Sequence, residues 1–128
     1  GIQVEQVLEE KLIFVSAKDN AEPYVYVDWG EHLRKQHDIA LPHLARPTLT
    51  INLGQLALQH ILENGGSGYF RTRVVENYLR SGHLTKVGNY PEFTFPVYVV
   101  YKKQTQNEFF QKVLDSLFKA GEAAEPWL

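Results

Sequence analysis

The sequence has 128 residues, about one domain's worth, of which 44% are hydrophobic and 12% aromatic. That composition supports a buried core, so extensive disorder is not expected. The net charge of -2 and the pI of about 6.2 argue against a basic nucleic-acid-binding surface. No apolar run approaches the roughly 20 residues of a membrane-spanning helix. Without cysteine there is neither a disulfide framework nor a thiolate metal site.

The start of the sequence does not resemble a signal peptide, because Glu5, Glu9 and Glu10 precede any sustained apolar stretch. Methionine is absent throughout, so we interpret the 128 residues as a piece of a longer chain. The lack of cysteine is compatible with a reducing compartment. Together these features lead us to expect a cytoplasmic protein.

Apolar runs alternate with helical patterns along the chain. The predicted strands are residues 2–4, 12–15, 24–27, 48–51, 69–70, 84–87 and 96–101, the first two being separated by an acidic patch. The predicted helices are residues 31–38, 54–64, 71–80 and 107–119, with a proline-containing loop at 39–47. Strands that alternate with helices of about ten residues predict an α/β fold with crossover units and a mostly parallel sheet.

A glycine-rich segment runs from Asn64 to Gly68. A phosphate-binding loop needs backbone N–H groups at the start of a helix, whereas these glycines follow one. The segment also lacks the Gly-Lys-Ser/Thr and GxGxxG patterns. We therefore interpret it as a helix C-cap followed by a tight turn.

The sequence contains no arrangement typical of an enzyme or a metal site. No two of the five histidines form an HxH or HxxxH pair. Ser67 is not part of a GxSxG elbow, and no spacing singles out a Ser–His–acid set. We expect no catalytic residues, no metal ligands and no cofactor. The histidines are His32, His37, His43, His60 and His83.

Two predicted strand-to-helix turns are candidates for a binding site. The first contains Asp28, Trp29 and Gly30, and the second contains Asn52 and continues to 54–55. In α/β sheets, ligands bind at the carboxyl ends of the strands, where both turns would lie. Each turn also has a structural interpretation: Asp28 as a cap beside a partly buried tryptophan, and Asn52 as a helix N-cap. The proposed ligand contacts are Asp28, Trp29, Gly30, Asn52, Gly54 and Gln55.

The order of these segments resembles the effector-binding domain of LysR-type transcriptional regulators. Leu12–Ser16, after an acidic lead-in, is similar to the strand that enters the second subdomain of those domains. Residues 58–70 resemble the family's helix, glycine turn and strand, although the usual proline is replaced by Arg71-Thr72. Residues 79–87 are similar to its "L-x-x-G-x-L" segment, and 96–102 to its return strand before the last helix. The resemblance covers residues 4 to about 119.

This resemblance implies a periplasmic-binding-protein-like (type II) fold with a small effector in the cleft between two subdomains. The chain would supply mainly the second subdomain (about 16–97) and the return strand with the last helix (about 98–120), within one partial domain of residues 1–128. The winged helix-turn-helix that reads DNA would lie in an N-terminal domain outside these residues. The implied partners are a small effector and further copies of the chain, as a dimer or a tetramer.

The function implied by the resemblance is effector sensing in a bacterial transcriptional regulator. A solute-binding protein of a transport system is the alternative, since it shares the fold class. A flavodoxin-like enzyme would need a phosphate loop or paired acid and base groups that the sequence lacks. Two helix N-termini at one edge favour an anionic effector. The apolar stripe of the last helix predicts self-association; it comprises Phe110, Val113, Leu114 and Leu117.

Overall fold

The computed structural model describes residues 1–102, without the side chain of Phe95, and residues 111–113, 115–116 and 119. Its elements follow one another as β1 (Ile2–Ala17), β2 (Val25–Val27), α1 (Glu31–Ala40), a 3-10 turn (Pro42–Leu44), β3 (Leu49–Ile51), α2 (Gly54–Asn64), β4 (Ser67–Arg71), α3 (Thr72–Ser81), β5 (Leu84–Lys86) and β6 (Phe93–Lys102).

The chain divides into two compact units. One contains Gly1–Glu10 and, among the described residues, 94–102, 111–113, 115–116 and 119; the other contains Lys11–Phe93. In the first unit β6 pairs with β1, and the Tyr101 hydroxyl donates a 2.8 Å hydrogen bond to Glu5. Every other element named above lies wholly in the second unit, which contains both predicted ligand-binding turns.

The prediction of two short strands near the start is wrong, because β1 is one strand of 16 residues. The acidic patch does not interrupt it. Glu9 is exposed and Glu10 is buried, so the pair follows the alternation of a strand instead of forming a turn. The other predicted strands and helices up to residue 102 are present, with boundaries shifted by a few residues. Helix α1 extends to Ala40, into the predicted loop.

Strands β2 and β3 form a two-stranded sheet separate from the one that contains β4, β1 and β5, and the strand pairing is both parallel and antiparallel, so the prediction of a mostly parallel sheet is wrong. Strands β2 and β3 are parallel, and a parallel bridge from Tyr24 to Ser67 brings β2 beside β4. By contrast, β1 pairs antiparallel with both β4 and β5. The alternation of strands and helices does not reveal that β1 enters the sheet of β4 and β5 before the first crossover, which is why the sequence pattern misses the antiparallel pairs.

The two faces of strands β1, β2 and β4 have different chemistry, because side chains alternate along each strand. One face is aliphatic and packs against α2 and α3; its core includes Ile13, Val15, Val25, Val27, Ala57, Leu58, Ile61, Phe70, Val74, Val75 and Leu84. The other face carries aromatic rings that contact His37 of α1; these are Tyr24, Tyr26 and Tyr69. The aromatic face is therefore the one that combines apolar surface with polar groups.

The helix end predicted in the glycine-rich segment is confirmed. Helix α2 ends at Gly65, whose φ is 88° and whose N–H donates a 2.9 Å hydrogen bond to the Ile61 carbonyl. Helix α3 ends at Gly82 in the left-handed conformation. The run from Asn64 to Gly68 is thus a helix end and a turn into β4.

The predicted last helix is described only in part. Residues 111–113, 115–116 and 119 are helical, and Val113 is exposed. The other members of its apolar stripe, Phe110, Leu114 and Leu117, lie outside the described residues, so the stripe stays a prediction. Among the helices that the structure describes, none is long and apolar enough to cross a bilayer.

An ion-pair cluster links the two ends of the second unit's chain. Glu92 lies 3.2 Å from the Lys11 amine and 2.7 Å from the Lys86 amine. Hydrogen bonds from Lys86 and Lys11 hold the pKa of Glu92 below its usual 4.5.

Replacing Glu92 with glutamine should lower the free energy of unfolding at pH 7 by at most about 1 kcal/mol, because the cluster is partly exposed. Because the folded pKa is lowered, the stabilisation is complete above the unfolded pKa and is lost as pH falls through the folded value. Urea unfolding of both proteins between pH 7 and pH 3 checks this. A difference that stayed constant as the pH fell would contradict it.

Candidate functional site

The structure brings the two predicted turns together. Strands β2 and β3 are parallel neighbours with Val27 opposite Ile51, so both end at the same edge of the sheet. The Asp28 N–H extends this pairing by donating a 3.2 Å hydrogen bond to the Ile51 carbonyl. Asp28, Gly30, Asn52 and Gln55 are exposed at this edge, and Trp29 and Gly54 are partly buried.

Trp29 contacts both strand β4 and the start of helix α2. Its indole N–H donates a 3.2 Å hydrogen bond to the Tyr69 carbonyl of β4. Its ring lies against the start of α2, where a Cβ added to Gly54 would be 3.1 Å from the ring. Glycine at position 54 therefore lets the indole approach the helix, a contact that the sequence does not predict.

The capping roles differ from those considered from the sequence. The Asp28 carboxylate accepts a 3.0 Å hydrogen bond from the Gly30 N–H, so it fixes the turn before α1. Asn52 is not the N-cap of α2: that position is Leu53, and no side chain caps the helix. Because α2 begins two residues after Asn52, the amide side chain is left at the exposed edge.

The side of the edge near α1 and the side near α2 differ in charge. Helix α1 has Glu31 in its first turn and follows the turn that contains Asp28, and the negative charge of both groups opposes an incoming anion. Helix α2 has no acidic residue in its first turn, so the positive end of its dipole is not offset there. The predicted preference for an anion therefore depends on α2 alone.

Gln55 is separated from the other predicted contacts. It lines a shallow groove along α2, together with Leu58, Gln59, Leu62 and Tyr78. Trp29 and Gly54 thus form the packed centre of the predicted site, while Gln55 faces a different depression.

A third strand-to-helix turn lies at the same edge and was missed by the sequence reasoning. Strand β4 runs parallel to β2, so it ends at this edge, and α3 follows directly at Thr72. The Thr72 hydroxyl donates a 3.3 Å hydrogen bond to the Lys11 carbonyl. No loop separates Arg71 from Thr72, which removes the glycine or proline signal that marks such a turn in a sequence.

An aromatic cavity lies behind Trp29. Its volume is about 10 Å³, room for one water molecule at most. The cavity is nearly all apolar, and burial raises the pKa of two of its lining tyrosines, Tyr24 and Tyr69, above the usual tyrosine range. It is lined by Leu12, Tyr24, Tyr26, Val27, Trp29, Leu33, His37, Tyr69 and Phe93.

His37 is the polar group at the centre of this cluster. Its side chain is buried, with Nε2 2.7 Å from the Tyr24 hydroxyl and Nδ1 2.8 Å from an Asp38 oxygen. An ionised carboxylate only accepts hydrogen bonds, so Nδ1 carries the proton of the neutral ring and its N–H donates a hydrogen bond to Asp38. In this tautomer, Nε2 accepts the hydrogen bond from Tyr24.

Asp38 connects the buried histidine to the surface. Burial alone would raise the pKa of Asp38, but its hydrogen bonds to His37 and Arg34 outweigh burial and lower that pKa. The Arg34 guanidinium lies 3.2 Å from the second Asp38 oxygen and 4.2 Å from the centre of the Tyr26 ring. This network is not predictable from the sequence, since one histidine on a helix has no characteristic spacing.

No protein-family profile and no curated protein sequence matches this chain, but its fold matches solved structures. The apo regulatory domain of HypT from Salmonella typhimurium is 12% identical with a TM-score of 0.72, over 93% of this chain and 66% of that one. DarR from Vibrio fischeri, solved with DNA, is 14% identical with a TM-score of 0.74, over 91% of this chain and 45% of that one.

A third match is full-length LysG from Corynebacterium glutamicum, whose structure contains bound arginine as effector. It is 11% identical with a TM-score of 0.72, over 98% of this chain and 49% of that one. The chain therefore spans two thirds or less of the length of each of these proteins. The predicted fold class is confirmed: this is the periplasmic-binding-protein-like (type II) α/β fold of the regulatory domains of LysR-type regulators. The matched proteins are transcriptional regulators.

Proposed function

We propose that this chain is part of the effector-sensing domain of a bacterial LysR-type transcriptional regulator and has no catalytic activity. The observation that carries the proposal is the match of 91–98% of the chain to regulatory domains of that family. The meeting of three strand ends around Trp29 supports it, because ligands of α/β sheets bind at such an edge.

We propose that Asp28, Trp29, Gly30, Asn52 and Gly54 form the centre of this chain's half of the effector cleft, with Gln55, which lines the neighbouring groove along α2, at its margin. Trp29 offers a flat apolar wall, and the Asn52 amide, which does not cap α2, is available at the exposed edge to orient a polar ligand. An anionic group of the effector would bind on the α2 side, away from Asp28 and Glu31. The ligand would act through a difference in affinity between two conformations of the domain.

The remaining parts of the proposal concern the intact protein. DNA would be contacted only by an N-terminal domain, and the regulator would act as a dimer or tetramer in the cytoplasm. The composition supports this division, because a net charge of -2 does not favour DNA binding by these residues.

The test is to introduce Trp29→Ala and Asn52→Ala separately into the intact regulator and to measure the effector response with a reporter gene. Each variant should need about tenfold more effector for a half-maximal response, equivalent to roughly 1.4 kcal/mol of lost contact. Asn89→Ala, at an exposed asparagine between β5 and β6, is the matched control and should respond normally.

Promoter occupancy, measured by footprinting, separates loss of sensing from loss of folding. Both site variants should occupy the promoter as the wild type does. Unchanged effector sensitivity in two folded, promoter-bound variants would place the site elsewhere. If the intact protein had no promoter to occupy, the transport alternative would replace the regulator.

A further inference from the structure

The hydrogen-bonded chain from Tyr24 through His37 to Asp38 has a chemical capacity that effector sensing does not use. Tyr24 and His37 are both buried, and the distance between the Tyr24 oxygen and His37 Nε2 is 2.7 Å. The second ring nitrogen is 2.8 Å from the Asp38 carboxylate. The buried Tyr24 phenol is thus hydrogen-bonded to an imidazole nitrogen that can accept its proton. The Asp38 carboxylate would stabilise the positive charge that this transfer creates on the ring.

We propose that Tyr24 is a one-electron redox site whose oxidation is coupled to transfer of the phenolic proton to His37. The oxidant is a one-electron metal complex at the protein surface, ruthenium(III) tris(bipyridine) in the experiment below, which is reduced to ruthenium(II) as it accepts one electron from Tyr24. The O–H bond of Tyr24 breaks, and an N–H bond forms at His37 Nε2. The products are a neutral tyrosyl radical, an imidazolium hydrogen-bonded to Asp38, and the reduced oxidant.

Because Tyr24 is buried, its oxidation requires a proton acceptor such as His37. Burial raises the pKa of Tyr24 far above the usual tyrosine value, so the phenolate is not available as an electron donor. Removing an electron without the proton would leave a cation in an apolar cluster, which is strongly unfavourable. Four titratable groups also act on Tyr24: Tyr69, Tyr26, Arg34 and Asp38.

The rings around Tyr24 offer the electron a path to the surface. Tyr24 stacks on Phe14 with centroids 5.6 Å apart, and Phe14 stacks on Tyr90 at 4.4 Å. Tyr90 is partly buried and lies beside the exposed His43. Trp29, also partly buried, lines the same cavity as Tyr24.

Tyr69 is a matched control within the same cluster. It is also buried and its pKa is also raised by burial. Its hydroxyl, however, donates a 2.8 Å hydrogen bond to the backbone carbonyl of Pro91, which cannot take up a proton. If burial alone favoured the radical, Tyr69 would form it as readily as Tyr24.

The experiment is flash photolysis of the purified chain with tris(bipyridine)ruthenium and a sacrificial electron acceptor, followed by electron paramagnetic resonance. The sequence has no cysteine or methionine, so oxidation of sulfur does not compete. We expect a long-lived neutral tyrosyl radical that is lost in Tyr24→Phe and retained in Tyr69→Phe. His37→Gln, which keeps a hydrogen-bonding amide but removes the base, should slow radical formation on the order of tenfold or more.

Two results would overturn the proposal: an unchanged radical in folded Tyr24→Phe, or an unchanged rate in folded His37→Gln. If neither variant folds, the solvent deuterium effect on the native chain decides. Coupled proton transfer slows oxidation in heavy water, and an identical rate in both solvents would contradict it. The proposal does not depend on effector sensing, since no effector is present in the measurement.

Discussion

Replacing Gly66 with alanine should destabilise the protein by about 3 kcal/mol or more, because the new methyl group meets a backbone oxygen in a strained conformation. Gly66 has a φ of 125°, and a Cβ built there would be 2.8 Å from the Pro23 carbonyl oxygen. A backbone atom cannot move aside as a flexible side chain can. Neither the strain nor the overlap can therefore be relieved locally.

The surroundings of Gly66 make its position critical. Its N–H donates a 2.8 Å hydrogen bond to the Asn20 carbonyl, and its own carbonyl accepts one of 2.9 Å from the Ala17 N–H. A shift at Gly66 therefore disturbs the end of β1 and the start of β4 together.

Gly82→Ala is the matched control for Gly66→Ala. Gly82 also has a positive φ, of 82°, but no neighbouring atom lies within 4 Å of a Cβ built there. Gly82→Ala should lower the free energy of unfolding by only about 1 kcal/mol, the conformational penalty of a positive φ alone. Urea unfolding of the two variants measures the difference. Equal destabilisation would show that the contact with Pro23 does not matter.

Features that are determined by one residue, or by two strands of the same crossover unit, are predictable from the sequence. The helix end at Gly65 is predictable from the sequence because the conformational freedom of one glycine determines it. The meeting of the Asp28 and Asn52 turns was predicted because the two strands before them belong to one crossover unit, which makes them parallel neighbours.

Features that depend on non-local contacts were missed. The sequence does not show that β1 pairs antiparallel with β4 and β5, because pairing partners leave no periodic signal. Nor does it show that Trp29 rests on Gly54, since that contact needs two turns at the right distance. The role of His37 is not predictable either, because its hydrogen bonds come from Tyr24, which is distant in the sequence and directly precedes β2, and from the neighbouring Asp38.

Replacing His37 with alanine should have the other large effect, about 3–5 kcal/mol of destabilisation, for two separable reasons. Removing a buried ring leaves a cavity among Tyr24, Tyr26 and Tyr69, which costs several kcal/mol for aromatic residues. It also leaves the buried Tyr24 hydroxyl without its acceptor, a penalty of about 1–3 kcal/mol.

Tyr24→Phe separates these two contributions, because it removes only the hydroxyl and keeps the ring that stacks on Phe14 and His37. It should cost about 1–3 kcal/mol, because it leaves the buried His37 Nε2 without its hydrogen-bond donor but creates no large cavity. In the double variant the unsatisfied hydroxyl no longer exists, so the two losses should be less than additive by roughly 1 kcal/mol or more. Denaturant unfolding of the wild type, His37→Ala, Tyr24→Phe and the double variant measures this departure from additivity. Strict additivity would mean that the hydrogen bond between Tyr24 and His37 adds nothing, and that His37 stabilises the aromatic face by packing alone.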